Sequence, residues 1–227
     1  FSLPTSDGTN TVALNGILMG GETEHDISSF DIKNITIGGD ASLVYYGIIP
    51  AVAKHSAVSN LHIRLDADTA LTGAGIFGLI VGYNDGVVSN VSVQGTGITL
   101  GLNNGQDVGL IVGQNEGMLE YAYSTAEIVK LNYTDSGSDN RPTLAGIAYQ
   151  NAGLLVSSYF TGYIDNRLAI GEDNLATDSI ISAGILIQIQ TDSLDSYEGY
   201  IYNCYMAGVI EQIGSSTMTE EDTDNYN

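Results

Sequence analysis

Apolar and polar positions recur along this chain in blocks that align with one another rather than with a helical period. Three stretches superpose without gaps: Gly78 to Val93 (GLIVGYNDGVVSNVSV), Gly109 to Ser124 (GLIVGQNEGMLEYAYS) and Ala145 to Phe160 (AGIAYQNAGLLVSSYF). A weaker copy precedes them at Ile48 to Ile63. A split copy follows at Ala183 to Ile189 and Gly199 to Met206, and Asp31 to Ile37 matches a second half alone. The spacing drifts, from 31 residues between Asn84 and Asn115 to 36 between Asn115 and Asn151. Helical repeats hold their period, whereas stacked strands with outward loops tolerate such drift.

This pattern predicts an all-β fold: a right-handed parallel β-helix of about six coils with variable loop insertions, over residues 31–214. Residues 1–30 read as an N-terminal cap or irregular segment, and the polar run at 215–227 as an acidic flexible tail. The aligned positions become columns. Val58, Val88, Leu119, Leu155 and Ile201 form one inward column; Pro50, Ile80, Ile111, Ile147 and Ile185 form another. Leu61, Val91, Ala122, Ser158 and Cys204 are expected inside, as are Ile63, Val93, Ser124, Phe160 and Met206. The column between these two, His62, Ser92, Tyr123, Tyr159 and Tyr205, then faces out, because side chains alternate along a strand. Asn84, Asn115 and Asn151 are expected to stack as an amide ladder that satisfies the turn backbone. Gly86, Gly117 and Gly153, two residues on, are expected to adopt positive φ there.

Composition fits many short strands and turns: 28 Gly, 3 Pro, no Trp, and 14 Tyr against 4 Phe. The 43% hydrophobic content excludes a disordered chain, while charged residues reach only 15%, below the roughly 25% of an ordinary domain. A net charge of −21 argues against nucleic acid or anionic lipid as partner and fits a solubilising coat. Cys204 is the single cysteine, so no intrachain disulfide is available. No apolar run approaches the length of a membrane-spanning helix. The first residue is Phe, which reads as a processed form or an excised piece.

The stretches Gly78 to Gly86 and Gly109 to Gly117, with Ala145 to Gly153 as a looser match, resemble the GLUG repeat, G-L-(V/I)-G-x-N-x-G-x-(I/L)-x-(N/S/Y)-x-Y. The resemblance covers about half the chain within residues 47–210, and Pro50, Lys54, Tyr149 and Ile189 depart from the pattern. Such repeats occur in filamentous-haemagglutinin-like adhesins and in the non-catalytic region of IgA-specific metallopeptidases. The resemblance therefore implies an extracellular or cell-surface bacterial protein, usually one module of a long chain; a structural or binding module of a surface adhesin is the leading expectation.

The search for chemistry yields little that the repeat does not already explain. The string Gly73-x-Gly75-x-x-Gly78 lacks both the buried strand and the following helix that dinucleotide binding requires. His25, His55 and His62 do not form a zinc-protease motif, and Cys204 is expected to face inward as a small hydrophobe. Asp85 and Glu116 align on neighbouring coils as turn carboxylates without an evident pocket. Arg64, Asp66 and Asp68 are the nearest approach to a lyase-like set. No metal site or cofactor is expected. Calcium, if bound, would sit on loop oxygens of residues 135–140 (DSGSDN) or 171–174 (GEDN). The unusual surface feature is the outward row Tyr123, Tyr159 and Tyr205, a candidate binding face for a cell-surface glycan or protein. Copies of the chain are the other candidate partner, stacked end to end. A polysaccharide lyase or glycoside hydrolase, and a passive spacer within a larger secreted protein, are the alternatives.

Overall fold

The structure is a computed structural model that describes residues 13–14, 16–19, 22–23, 26–27, 29–32, 36–38, 44–65, 69–134, 142–166, 181–189 and 199–211. The described residues form an all-β parallel solenoid without a helix. Four sheets run along it. The first contains Ile49–Val52, Val81–Asn84, Val112–Asn115, Ala148–Asn151 and Leu186–Ile189. The second contains Ala57–Leu65, Val87–Gln94, Met118–Ser124, Leu154–Val156 with Tyr159–Phe160, and Tyr200–Tyr202 with Tyr205–Met206. The third contains Thr69–Thr72, Ile98–Asn103, Glu127–Thr134, Tyr163–Asp165 and Val209–Glu211; the fourth, Tyr45–Tyr46, Gly75–Gly78, Gln106–Gly109, Thr143–Ala145 and Ile181–Ala183. The winding is clearest over about three turns, residues 45–72, 75–103 and 106–134, and strands on either side extend the same sheets.

Within residues 1–30, Ala13–Leu14 pairs in parallel with Ile49–Val52, and Ile17–Met19 with Ala57–Leu65. Glu22–Thr23 and Asp26–Ile27 form a small antiparallel pair. The tail at 215–227 lies outside the described residues.

The interior is mainly aliphatic, with Tyr46, Phe77 and Phe160 among its side chains. Val58, Val88, Leu119 and Leu155 stack in register and are fully buried. Column positions trade volume within a turn. Where the fourth sheet turns into the first, Leu79 and Leu110 are followed one turn later by Gly146. In the column that faces them, Val93 and Ser124 give way to Phe160. A Cβ on Gly146 would collide with the Gly184 carbonyl oxygen of the next turn and sit only 2.6 Å from the Phe160 ring, so the ring and the neighbouring backbone together fill the space that the missing side chain leaves.

Two expectations need correction. Pro50 does not stand beneath Ile80: Ile49 pairs with Val81 and Val52 with Asn84, so Ile48 precedes Ile80 in that column. Downstream, Ala57 pairs with Val87, as the gapless alignment requires. The turn between the two strands therefore holds two extra residues, and His55 there takes a φ of 65°. Second, Gly86, Gly117 and Gly153 are not positive-φ residues. They are glycines because of crowding: a Cβ on Gly117 would collide with the Gly86 carbonyl oxygen, and one on Gly153 with that of Gly117.

A further device was not legible in the alternation. Asn60, Asn90, Tyr121, Ser157 and Asn203 form a left-handed column, with φ between 47° and 56°. Each bends its second-sheet strand. Val58 and Leu61 can therefore both turn inward although they are three residues apart.

Candidate functional site

The asparagine ladder forms as expected. Asn84, Asn115 and Asn151 pair in register and have no solvent exposure. Asn84 Nδ2 donates to Asn115 Oδ1 and Asn115 Nδ2 to Asn151 Oδ1, both at 2.7 Å. Asn84 Nδ2 also donates to the Met118 carbonyl at 3.1 Å, and the Gly86 N–H donates to Asn84 Oδ1 at 3.1 Å. Val52 and Ile189 occupy the same register position beyond each end. The ladder is an internal scaffold element, sealed from any ligand.

The tyrosine row lies on the outer face of the second sheet. Tyr123 and Tyr159 stack with centroids 5.1 Å apart and planes 9° from parallel; Tyr159 and Tyr205 repeat this at 5.1 Å and 10°. The parallel register dictates it, since identical side chains one strand apart fall at about the sheet spacing. Tyr123 and Tyr159 are half-buried, and Tyr205 is 54% exposed. Burial, then the neighbouring phenols Tyr123 and Tyr205, hold the Tyr159 hydroxyl above its ordinary pKa.

The earlier members of this column do not face water as expected. His62 and Ser92 are buried at 4% and 0% exposure. The His62 and Tyr123 rings approach to 6.1 Å between centroids across the intervening turn, converging over Ser92, whose small side chain leaves room. His62 Nδ1 meets Ser92 Oγ at 2.8 Å, and Gln94 Nε2 donates to both Ser92 Oγ and the Tyr123 hydroxyl at 3.1 Å. Burial depresses the His62 pKa, which favours the neutral imidazole. The row is therefore closed and hydrogen-bonded at one end and open at Tyr205.

Sequence reasoning missed the wider extent of this face. Tyr121, Tyr200 and Tyr202 are exposed on the same sheet, as is Leu154. Tyr200 and Tyr202 flank Ile201 in the first-column register, so strand alternation would have placed them outside.

Glu116, one of the two aligned turn carboxylates, is held in a hydrogen-bonded cluster with Tyr83 and Gln114. Glu116 accepts from the Tyr83 hydroxyl at 2.6 Å and from Gln114 Nε2 at 2.7 Å, and the Tyr45 hydroxyl donates to Gln114 Oε1 at 2.9 Å. Burial, the hydrogen bond to Glu116 and the charges of Glu116 and Asp85 drive the Tyr83 phenol far above its usual value. A parallel arrangement surrounds Asp107, which accepts from Thr143 Oγ1 at 2.9 Å; burial and Asp107 push Tyr149 up to about 12. The bonds from Tyr45 to Gln114 and from Tyr149 to Asp107 link the fourth and first sheets. Arg64 and His55 are exposed, while His25, Asp66, Asp68 and both calcium-candidate loops lie outside the described residues. Among the described residues, no group of His, Cys, Asp or Glu could hold a metal ion. Cys204 is half-buried against the core, and burial raises its thiol pKa, which disfavours the nucleophilic thiolate.

The fold and this face define a class, a parallel β-solenoid carrying an outward aromatic row. In comparisons with known proteins, the chain matches no family model, no curated protein and no solved structure.

Proposed function

We propose that this chain is an extracellular structural and binding module of a bacterial surface adhesin, and that it binds through the tyrosine face of its second sheet. In this reading the solenoid is a right-handed β-helix of about six coils, related to GLUG-repeat proteins. The six-stranded first and third sheets support that length, and the strong preference of parallel crossovers supports the hand. The observation that carries the function is the Tyr123–Tyr159–Tyr205 stack, with Tyr121, Tyr200 and Tyr202 exposed on the same sheet. Exposed tyrosines combine apolar area with a hydroxyl and little conformational freedom to lose, which suits them to sugars and protein surfaces. The net charge of −21 favours a neutral or cationic ligand.

A glycan array and immobilised host-surface proteins, probed with wild type and with the triple variant Tyr159→Ala, Tyr202→Ala and Tyr205→Ala, test this. At least one wild-type signal should fall ten-fold or more in the variant while its β-sheet circular dichroism persists. Undiminished binding by the triple variant would remove the tyrosine face from the proposal.

A further inference from the structure

Exposed apolar side chains are not spread evenly over this solenoid. Among the described residues, nine of the twelve large exposed hydrophobics belong to the first or last strands of the sheets or flank them. Ile17, Leu18 and Val44 stand at one end, and Tyr200, Ile201, Tyr202, Tyr205, Met206 and Val209 at the other. The two ends are also matched in register. Leu18 pairs with Val58 at the start of the column whose last member is Ile201, and both terminal residues are 43% exposed. Beside Ile201 opens a cavity of about 400 Å³ lined by Gly184, Ile185, Leu186 and Cys204, which continues the interior outward.

The last strands of the second sheet are receptive. Tyr200–Tyr202 (YIY) and Tyr205–Met206 (YM) carry no charge and no proline, the devices by which natural edge strands avoid pairing. They are the last strands of the second sheet among the described residues, and pair with Leu154–Val156 and Tyr159–Phe160. Tyr205 likewise stacks on Tyr159, and its other side has no ring partner among the aromatic contacts of the described residues.

We infer that a second copy of this chain docks head to tail on the C-terminal turn, its Leu18 strand continuing the second sheet beyond Ile201. The occupant is identified by shape: its first turn repeats the column that the last turn leaves open, and parallel pairing preserves the strand direction. The contact is heterologous, one end against the other, so it leaves both outer ends free and propagates into filaments. The net charge of −21 on each copy opposes association, so salt should promote it by screening. The inference deepens the structural half of the proposed function and rests on the solenoid reading, but not on ligand binding by the tyrosines.

Sedimentation velocity and negative-stain micrographs of the purified chain, at low and at 0.5 M salt, test it. Wild type should form concentration-dependent species that lengthen with salt. Leu18→Lys and Ile201→Lys should each be monomeric alone, with thermal melts close to wild type, and when mixed they should form dimers and nothing larger. A wild-type monomer at every concentration and salt would overturn the inference. So would continued assembly of Leu18→Lys, since the N-terminal end would then play no part. Glycan or protein binding by the monomeric variants is read separately: intact binding with lost assembly separates this inference from the tyrosine-face proposal, and the converse does the same.

Discussion

The asparagine ladder and the tyrosine row climb the same turns, yet one is dry and saturated and the other is partly wet. Asn84, Asn115 and Asn151 have no exposure and spend their amides on one another and on turn carbonyls. Tyr123, Tyr159 and Tyr205 meet face to face, and their exposure grows towards Tyr205. Both arise from the same cause, parallel register that lays like over like. What separates them is the side of the strand and the chemistry of the tip: an unpaired amide cannot stay inside, whereas a phenol can remain at the boundary. Repetition thus makes a fastener on one side of the wall and a surface on the other.

The contrast can be broken from the inside first. Asn115→Ala should be the most damaging of the substitutions that follow, because it removes both ladder bonds: Asn84 Nδ2 keeps only the Met118 carbonyl, and Asn151 Oδ1 loses its amide donor, at about 1–3 kcal/mol for a buried group left unpaired. Urea titration should show a lower midpoint without a gain in m-value. An unchanged midpoint would mean that the ladder does not stabilise the fold. Gly117→Ala should cost about 1–3 kcal/mol by overpacking, since the new methyl meets the Gly86 carbonyl oxygen.

Tyr159→Ala, on the outside, removes two stacked contacts worth about 0.5–1.5 kcal/mol each. Tyr159→Phe should leave stability nearly unchanged, because the stacking survives without the hydroxyl. If Tyr159→Ala proved as harmful as Asn115→Ala, the row would be a packing element and not a surface.

The smallest effects concern pH, read from thermal melts. Tyr45, Tyr83, Tyr149 and Tyr159 all have raised pKa values, so the folded state keeps protons that the unfolded state loses. Their contribution is complete below about pH 10, where free tyrosine titrates. It is lost as pH climbs from there, through about 12 for Tyr149. Tyr149→Phe should blunt this alkaline loss. His62 has the opposite sense: its depressed pKa means the unfolded state binds the proton first. Its contribution is full above about pH 6.5 and declines as pH falls below that. A His62→Gln variant should flatten that acid limb.

Much of this was legible in the residues, for a physical reason. Asn and Gly recur at Asn84 and Gly86, Asn115 and Gly117, and Asn151 and Gly153 because few residues can replace a stacked amide or a position with no room for Cβ. The left-handed column was obscured because its role is set by the backbone: Asn60, Tyr121 and Ser157 share a conformation and no chemistry. Pro50 was misplaced because apolar strands align almost equally well two residues apart, and only the pairing of Val52 with Asn84 fixes the offset. The burial of His62 and Ser92 escaped because alternation assigns a face and says nothing of rings leaning over a small neighbour.

The exchange of bulk between Gly146 and Phe160 has a consequence for how such a chain can be inherited. A gene segment encoding one whole circuit carries its own volume balance, so copying or deleting it leaves the lining of the tube evenly filled. A crossover falling between those two codons would instead marry Leu110 to Phe160, or Gly146 to Ser124, producing a crowded ring or a hollow one. Exchange in steps of full circuits keeps each glycine with its facing ring, while the outward loops carry no such pairing.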